Sequence, residues 1–215
     1  MPTTEVLAAL RAEGLVALAV APPDPEFCPS DTRALVLIGP AGGEGWWRRV
    51  TASAEWHDGA PDPVDRWSRR VLTALANRFG GTALFPSDGP PWPPFFRWAL
   101  DSGQMWQSPV GMLVHADCGL WASFRGALAL PLAITVPTAE NPCKTCVNTP
   151  CTQACPVAAL SPAVYDTARC HAYLDTPPGQ ECLTQGCAAR RACPAGESHA
   201  RLPEQSAYHM SRFHR

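Results

Sequence analysis

The feature that most constrains this chain is the distribution of its cysteines. Eight of the ten cysteines lie between residues 143 and 193, and four of them fall within CKTCVNTPCTQACP, residues 143–156. Two cysteine groups end in a Cys-Pro pair, at Cys155-Pro156 and at Cys193-Pro194. Thiols at this density bind metal or pair as disulfides, so the fold of the segment depends on which of the two occurs.

Composition and the N-terminal sequence indicate a cytoplasmic protein. The first apolar run has no basic region before it and is interrupted by Arg11, Glu13 and Gly14, so we expect neither a signal peptide nor a membrane span. A net charge of −2 with 17% charged residues gives no reason to expect nucleic acid or an anionic membrane as a partner. Because a reducing cytosol keeps thiols free, metal binding is favoured over disulfides.

Residue usage divides the chain into two segments. Residues 1–138 contain all eight tryptophans and two cysteines, whereas residues 139–215 contain eight cysteines and no tryptophan. The proline-rich stretch ITVPTAENP lies at the boundary between these two segments. We therefore predict a first domain over 1–138 and a second over 139–215.

The first segment has the pattern of an α+β domain. Apolar spacing and punctuating Thr, Asp, Pro and Gly predict helices over 3–14, 62–81 and 93–103, and strands over 15–20 and 33–39. Two further strands, VGMLVHA and LWASFRGALAL, are predicted to form a hairpin through Asp117-Cys118-Gly119. The glycine-rich stretch GPAGGEG matches no phosphate loop and is interpreted as a turn, as is Asp88 in PSDGPP.

The cysteine spacing is similar to that of bacterial ferredoxins. There a C-x2-C-x2-C-x3-C-P run gives three ligands to one [4Fe–4S] cluster, and its fourth cysteine binds the other cluster. Here the first group is C-x2-C-x4-C-x3-C-P, and the second is more widely spaced. If the same crossover holds, one cluster takes Cys143, Cys146, Cys151 and Cys193, and the other takes Cys155, Cys170, Cys182 and Cys187.

Two other uses of these thiols stay open. Two zinc sites could also use eight cysteines, but zinc sites usually contain paired C-x2-C knuckles, and this segment has a single such pair. Disulfides are the third interpretation. Cys28 and Cys118 fall outside the pattern, and each is expected to be a buried free thiol.

Longer stretches resemble families that use iron–sulfur clusters or cobalamin. CKTCVNTPCTQACPVAALSPAVYDTARCHAYLDT and the N-terminal LAALRAEGLVALAVAPPD resemble the epoxyqueuosine reductase family. The stretch SPVGMLVHADCGLWASFRGALALP, at 108–131, and the stretch DPVDRW resemble the CblC cobalamin-processing family. The matching residues in 108–131 are Gly111, His115, Gly119, Trp121, Arg125 and Gly126.

The resemblance implies a nitroreductase-like α+β domain that binds cobalamin base-off, followed by a ferredoxin-like domain with two [4Fe–4S] clusters that reduce the cobalt. The cobalamin contacts that it implies are Trp106, Gly111, His115, Gly119, Trp121 and Arg125. The C-terminal helical repeats that serve tRNA binding in the reductases have no counterpart here, so activity on tRNA is not expected.

Each of these residues also has a plain structural interpretation. A histidine in an apolar strand is commonly a hydrogen-bonded structural residue, and tryptophans at such positions commonly belong to a core. An arginine in an apolar strand needs an anionic partner, which can be a nearby carboxylate as well as a ligand. No catalytic residue is assigned from the sequence.

The function expected from these observations is that of a cobalamin-linked oxidoreductase. Two clusters would receive electrons from a donor protein and deliver them to cobalamin, for reductive processing of cobalamin itself or of a small-molecule substrate. Two alternatives remain: a ferredoxin-like electron carrier without cobalamin, and a flavin-binding reductase of the same fold.

Overall fold

The structure is a computed structural model that describes residues 2–199 and 201–214. The chain forms two compact units. The first comprises residues up to 41, 45–105 and 123–139, and the second comprises 42–44, 106–122 and 140 onward. The cysteine-rich segment therefore packs together with residues 106–122, which precede it by some twenty positions.

The first unit is built on a four-stranded antiparallel sheet. Its strands are β1 (Leu15–Ala21), β2 (Ala34–Pro40), β3 (Thr82–Leu84) and β6 (Gly126–Leu130), in the order β1-β2-β6-β3. Every residue of β2 and of β6 is buried, as the apolar composition of ALVLIGP and GALAL requires. A register shift between Ala17 and Ala19 interrupts the pairing of β1 with β2.

Five helices complete the first unit, and the longest of them lies on the sheet. They are α1 (Pro2–Ala12), α2 (Gly45–Thr51), α3 (Ala54–His57), α4 (Pro63–Arg78) and α5 (Phe95–Asp101). The apolar face of α4 buries Val64, Trp67, Val71, Leu72 and Leu75. This face approaches β6 so closely that a Cβ at Gly126 would lie 2.6 Å from a methyl group of Leu72.

The second unit consists of short elements. Its two-stranded sheet pairs β5 (Leu113–His115) with β4 (Met105–Gln107), of which Met105 itself is assigned to the first unit. Its helices are α6 (Thr167–Leu174), α7 (Gln180–Gln185), α8 (Ala188–Arg191) and α9 (Pro203–Phe213). Between them lie 3-10 turns at Pro142–Lys144, Pro150–Thr152, Pro177–Gly179 and Pro194–His199. Helices of this length are marginal on their own in water, so the unit depends on tertiary contacts.

The elements predicted by apolar spacing are confirmed, and the molecule is α+β. These are α1, β1, β2, α4 and α5, each within a few residues of its predicted bounds. The predicted hairpin is wrong, because β5 pairs with β4, whereas β6 pairs with β2 and β3. The turn between them is closed locally by an antiparallel bridge between His115 and Gly119.

Among the described residues, no helix combines the length and the apolar character that crossing a membrane requires.

Candidate metal centre

Four cysteines line one cavity in the second unit. They are Cys143, Cys146, Cys151 and Cys193, which are the four residues that the ferredoxin pattern assigns to one cluster. The cavity has a volume of about 410 Å³, and its wall also contains Ser108, Val114, Leu120 and Ala195. A residue fifty positions away in the sequence thus joins the cysteines of the first group, as the crossover predicts.

Local backbone structure positions the first three of these cysteines. The Asn141 side chain accepts a hydrogen bond of 2.9 Å from the Cys143 backbone N–H and so caps the 3-10 turn that contains this cysteine. Asn148 and Thr149 both have positive φ, of 60° and 38°. Two consecutive left-handed residues turn the chain sharply, and this turn leads into the 3-10 turn of Cys151.

An apolar layer surrounds the cavity on the protein side. Val110, Val114, Leu120 and Ala189 are at most 3% exposed and pack with Cys151 and Cys193, which are 7% and 8% exposed. Cys143 and Trp106 pack against the same apolar layer from half-buried positions. This layer keeps water from the inner side of the cavity, whereas Thr145 and Val147 in the rest of its wall are exposed.

The thiols of this set influence one another electrostatically. Burial raises the pKa of the Cys143 thiol, and the neighbouring thiolates of Cys193, Cys151 and Cys146 raise it further. Burial and the thiolates of Cys193 and Cys146 likewise raise the pKa of Cys151. Raised pKa values favour the neutral thiols, so these cysteines would become thiolates together only with a cation between them, as a metal centre supplies.

The other four cysteines form a second set around α6, α7 and α8. Cys170 lies on α6, Cys182 lies buried on α7, and Cys187 is the residue that precedes α8. Cys155 precedes them in the chain, and its sulfur accepts a hydrogen bond of 3.3 Å from the Ala159 backbone N–H. These are the residues that the ferredoxin pattern assigns to the other cluster.

Electrostatic influence again connects the members of this set. Burial raises the pKa of the Cys170 thiol, and the thiolates of Cys187, Cys155 and Cys182 raise it as well. The Tyr165 hydroxyl acts in the opposite direction by donating a hydrogen bond of 3.5 Å to the Cys170 sulfur. Hydrogen bonds to cysteine sulfur are one of the ways in which proteins tune bound clusters.

A cation lies beside the second set. Arg190 on α8 donates a hydrogen bond to the Leu120 backbone carbonyl. Burial lowers the pKa of the Arg190 guanidinium, and the neighbouring Cys187 thiolate opposes this effect. A buried guanidinium needs anionic neighbours, so Arg190 is suited to a site in which cysteines are ionised.

The zinc and disulfide interpretations can be compared with the positions of the cysteines in the structure. All ten cysteines are free thiols. In residues 2–199 and 201–214, no three or more His, Cys, Asp or Glu side chains are placed to hold a single metal ion. The observation that bears on a cluster is the cavity, because four irons and four sulfides would need such a space between four cysteines.

Cys118 is next to the centre but belongs to neither set. It is 2% exposed, and burial with the nearby Asp117 charge raises the pKa of its thiol to about 12. It therefore stays protonated at neutral pH, as the sequence-based interpretation of a buried free thiol requires. Cys28, in the first unit, is half-buried, so it is less buried than expected.

Two of the glycines proposed for cobalamin are in close contact with the cysteine segment. A Cβ at Gly119 would lie 2.5 Å from the Gly196 nitrogen and 2.9 Å from the Cys193 sulfur. A Cβ at Gly111 would lie 2.5 Å from the Ser161 carbonyl oxygen. Both residues also have positive φ, of 52° and 79°. Packing inside the second unit thus accounts for glycine at both positions.

Three more of the proposed cobalamin residues have neighbours in the same unit. The guanidinium of Arg201 lies over the Trp121 ring at 5.0 Å, and Gly196 approaches the edge of that ring. Trp106 packs on the apolar layer of the metal centre. His115 accepts a hydrogen bond of 3.1 Å at Nδ1 from the Asp117 backbone N–H.

Arg125 lies in the first unit, immediately before β6, and has a carboxylate partner. Its guanidinium is 3.4 Å from an Asp65 carboxylate oxygen on α4, and the arginine side chain is 14% exposed. Its backbone N–H donates to the Ile38 carbonyl at 2.8 Å and extends the pairing of β6 with β2. A neighbouring carboxylate is one of the two kinds of partner for Arg125 that the sequence left open.

The contacts described for the six proposed cobalamin residues account for all of them without a corrin, so cobalamin binding stays a prediction.

Sequence reasoning missed four polar residues near the cysteines: Ser108, Asn141, Tyr165 and Arg190. Asn141 carried a usable signal, because an Asn-Pro pair before a cysteine is a common start of a turn. Ser108 carried none, since it lies 35 to 85 positions before the cysteines that share its cavity. Arg190 lies three positions from both Cys187 and Cys193, but its sequence context does not reveal its bond to the Leu120 carbonyl. Asp88, interpreted as a turn residue, accepts a hydrogen bond from the Phe85 backbone N–H and pairs with Arg69.

We predict that Gly119→Ala destabilises the second unit and impairs the metal centre. The alanine would have to adopt a left-handed conformation and would clash with Gly196 and Cys193. We expect a loss of about 2 kcal/mol or more in the free energy of unfolding, measured by chemical denaturation under anaerobic conditions.

The matched control for this substitution is Gly43→Ala. Gly43 belongs to the same unit and has φ of +75°, but a Cβ there would meet nothing within 4 Å. The control should lose only the cost of the backbone conformation, about 1 kcal/mol. If both variants lose the same free energy of unfolding, the close approach of Gly119 to Cys193 does not contribute to the stability of the unit.

Comparisons with known proteins identify no relative of this chain. No protein-family model, no curated protein and no solved structure matches it.

Proposed function

We propose that this chain is an iron–sulfur redox protein whose second unit binds two [4Fe–4S] clusters. The observation that carries the proposal is the cavity of about 410 Å³ lined by Cys143, Cys146, Cys151 and Cys193. Zinc knuckles usually come as C-x2-C pairs, whereas the ferredoxin crossover combines three clustered cysteines with one distant cysteine, as this cavity does.

The residues of the second unit fit a cluster in their chemistry as well as in their number. Cys143, Cys146, Cys151 and Cys193 would hold one cluster, and Cys155, Cys170, Cys182 and Cys187 would hold the other. Each cluster, when bound, supplies a one-electron redox couple. The chain contributes the apolar wall of Val110, Val114 and Leu120 and the hydrogen bonds of Tyr165 and Ala159 to cysteine sulfurs.

In this proposal the second unit is ferredoxin-like and the first is a nitroreductase-like domain of a cytoplasmic protein. A donor protein supplies one electron to each cluster, and the chain passes these electrons to an acceptor. The sequence resemblance makes cobalamin the acceptor to test first. The contacts of Gly111, Gly119 and Trp121 within the second unit favour a second candidate, which is an electron carrier without cobalamin.

A reductive titration followed by electron paramagnetic resonance tests the redox role. Anaerobically reconstituted protein should be reduced at low potential, with signals that account for about two electrons per chain, one for each cluster. A protein that takes up no electrons between its oxidised state and the potential of a strong reductant such as dithionite would refute the proposal.

Cobalamin binding gives a separate prediction. Added cob(II)alamin should change to a base-off spectrum with saturation, and Arg125→Ala should weaken this binding. The control is Asp65→Ala, which removes the ion-pair partner of Arg125 but keeps the guanidinium. Trp121→Ala is a poor reporter because Trp121 packs against Gly196, three residues after Cys193.

The titration also separates the two candidate functions. An unchanged cobalamin spectrum at about 100 μM, well above the micromolar affinity of ordinary cofactor sites, would exclude cobalamin as the acceptor. The electron-carrier function would then be retained if the reductive titration succeeds.

A further inference from the structure

One polar group in the wall of the cysteine cavity has no partner within the described chain. Ser108 is 3% exposed, and its side-chain hydroxyl is buried without a hydrogen bond. The same residue lines the cavity of Cys143, Cys146, Cys151 and Cys193. Because buried hydroxyls are nearly always hydrogen-bonded, an orphan at this place indicates that its partner is the group that fills the cavity.

The backbone around Ser108 is fixed on both sides. Its N–H donates to the Met112 carbonyl at 2.8 Å, and its carbonyl accepts from the Gly111 N–H at 3.0 Å. Next to it, the Gln107 side chain donates to the Pro162 carbonyl at 2.9 Å. The turn therefore holds the hydroxyl at the cavity wall before any group is bound, which lowers the entropic cost of a hydrogen bond.

The second cysteine set offers a parallel. There the Tyr165 hydroxyl already donates a hydrogen bond to a cysteine sulfur, that of Cys170, at 3.5 Å. The first set has a buried hydroxyl in its wall but no such bond. Sulfur atoms of a cluster accept hydrogen bonds, and these bonds change its reduction potential.

We propose that the Ser108 hydroxyl donates a hydrogen bond to the sulfur of a cluster held by Cys143, Cys146, Cys151 and Cys193, and thereby raises the reduction potential of that cluster. The reduced cluster carries one more negative charge than the oxidised cluster, so a hydrogen-bond donor stabilises the reduced form more. This inference rests on the proposed function, because it requires that the cavity hold an iron–sulfur cluster.

The test is a potentiometric titration of Ser108→Ala, with each cluster followed by its own electron paramagnetic resonance signal. We expect the potential of the first cluster to fall, with the ratio of reduced to oxidised cluster shifting about tenfold, the usual scale for one hydrogen bond to a charged group. For a one-electron couple this is about 59 mV. The potential of the second cluster should stay unchanged.

Ser123→Ala is the matched control, since its hydroxyl is also buried without a partner but belongs to the first unit and lines no part of the described cavity. It should move neither potential. An unchanged potential of the first cluster in Ser108→Ala would overturn the inference while leaving the proposed function intact. Failure of the unsubstituted protein to form a cluster would instead overturn the proposed function.

A second pair of variants covers the case in which Ser108→Ala does not assemble the first cluster. Ser108→Thr and Ser108→Val have similar volumes, and only threonine keeps a hydroxyl. The inference requires that Ser108→Thr assemble the first cluster or keep its higher reduction potential. It also requires that Ser108→Val lose the property that Ser108→Thr keeps. Equal behaviour of the two variants would show that Ser108 acts through packing alone.

Discussion

Replacement of Cys193 by serine should remove one of two clusters and leave the other. Cys193 lines the same cavity as Cys143, Cys146 and Cys151, although it lies more than forty positions beyond them. A serine in its place deprives this set of one thiolate and, because ligation and folding are coupled, also releases the chain at 193. The iron content should fall from about eight to about four per chain.

The control for this prediction is Cys118→Ser, which changes a cysteine that is as buried as Cys193 but lines no part of the described cavity. Since the raised pKa of its thiol keeps Cys118 protonated, its loss should leave both clusters in place. Iron analysis and electron paramagnetic resonance of the two variants provide the measurement. Retention of both clusters in Cys193→Ser would contradict the ligand assignment.

If the proposed clusters are bound, removal of their iron should unfold the second unit and leave the first unit folded. The helices of that unit are eleven residues or shorter, and Cys151, Cys182 and Cys193 are among its buried residues. Short helices without their metal lack sufficient contacts to stay folded. The first unit has its own core, in which every residue of β2 and β6 is buried.

Hydrogen exchange measured by mass spectrometry checks this prediction segment by segment. After chelation of iron, the amides of α7 and α8 should exchange as in an unfolded chain, while those of β2 and β6 keep their protection. The variant Cys143→Ser/Cys155→Ser, which breaks both proposed sets without a chelator, should show the same pattern. Full protection of α7 and α8 in iron-free protein would show that the unit folds without clusters.

The spacing of apolar residues predicted many helices and strands of the first unit, because each of these patterns lies within a single helix or strand. The helix α4 has its apolar residues at helical spacing from Val64 to Leu75, and β2 is a short apolar run between Arg33 and Gly39. The strand β6 was predicted as well, but its partners were not. Its neighbours β2 and β3 are distant in the sequence, and pairing at that separation is decided by tertiary contacts.

Shorter elements gave weaker signals. The strands β3 and β4 have three residues each, too few for an alternating pattern. The helix α2 follows a glycine-rich turn and buries Trp46 and Trp47, and neither feature separates a helix from a strand over seven residues.

Cysteine spacing predicted that Cys193 lies beside Cys143, Cys146 and Cys151, and these four cysteines line one cavity. The same sequence led to a cofactor interpretation of Gly111 and Gly119, whose close contacts with the cysteine segment also require glycine. A glycine needed for a close approach and a glycine needed for a ligand look alike in a sequence. The role of Ser108 depends on burial, which the stretch SPVG does not reveal.

The central claim, two [4Fe–4S] clusters held by crossed sets of cysteines, is tested most directly by iron and acid-labile sulfide analysis of three reconstituted proteins. The unsubstituted chain should contain about eight irons and eight sulfides. Cys143→Ser/Cys193→Ser changes two ligands of the same proposed cluster, so about four irons should remain. Cys143→Ser/Cys155→Ser changes one ligand of each, so none should remain. If the first double variant loses all iron and the second keeps about four, the sets follow chain order instead of crossing. If the unsubstituted chain holds about two zinc ions and no sulfide, it contains no cluster at all.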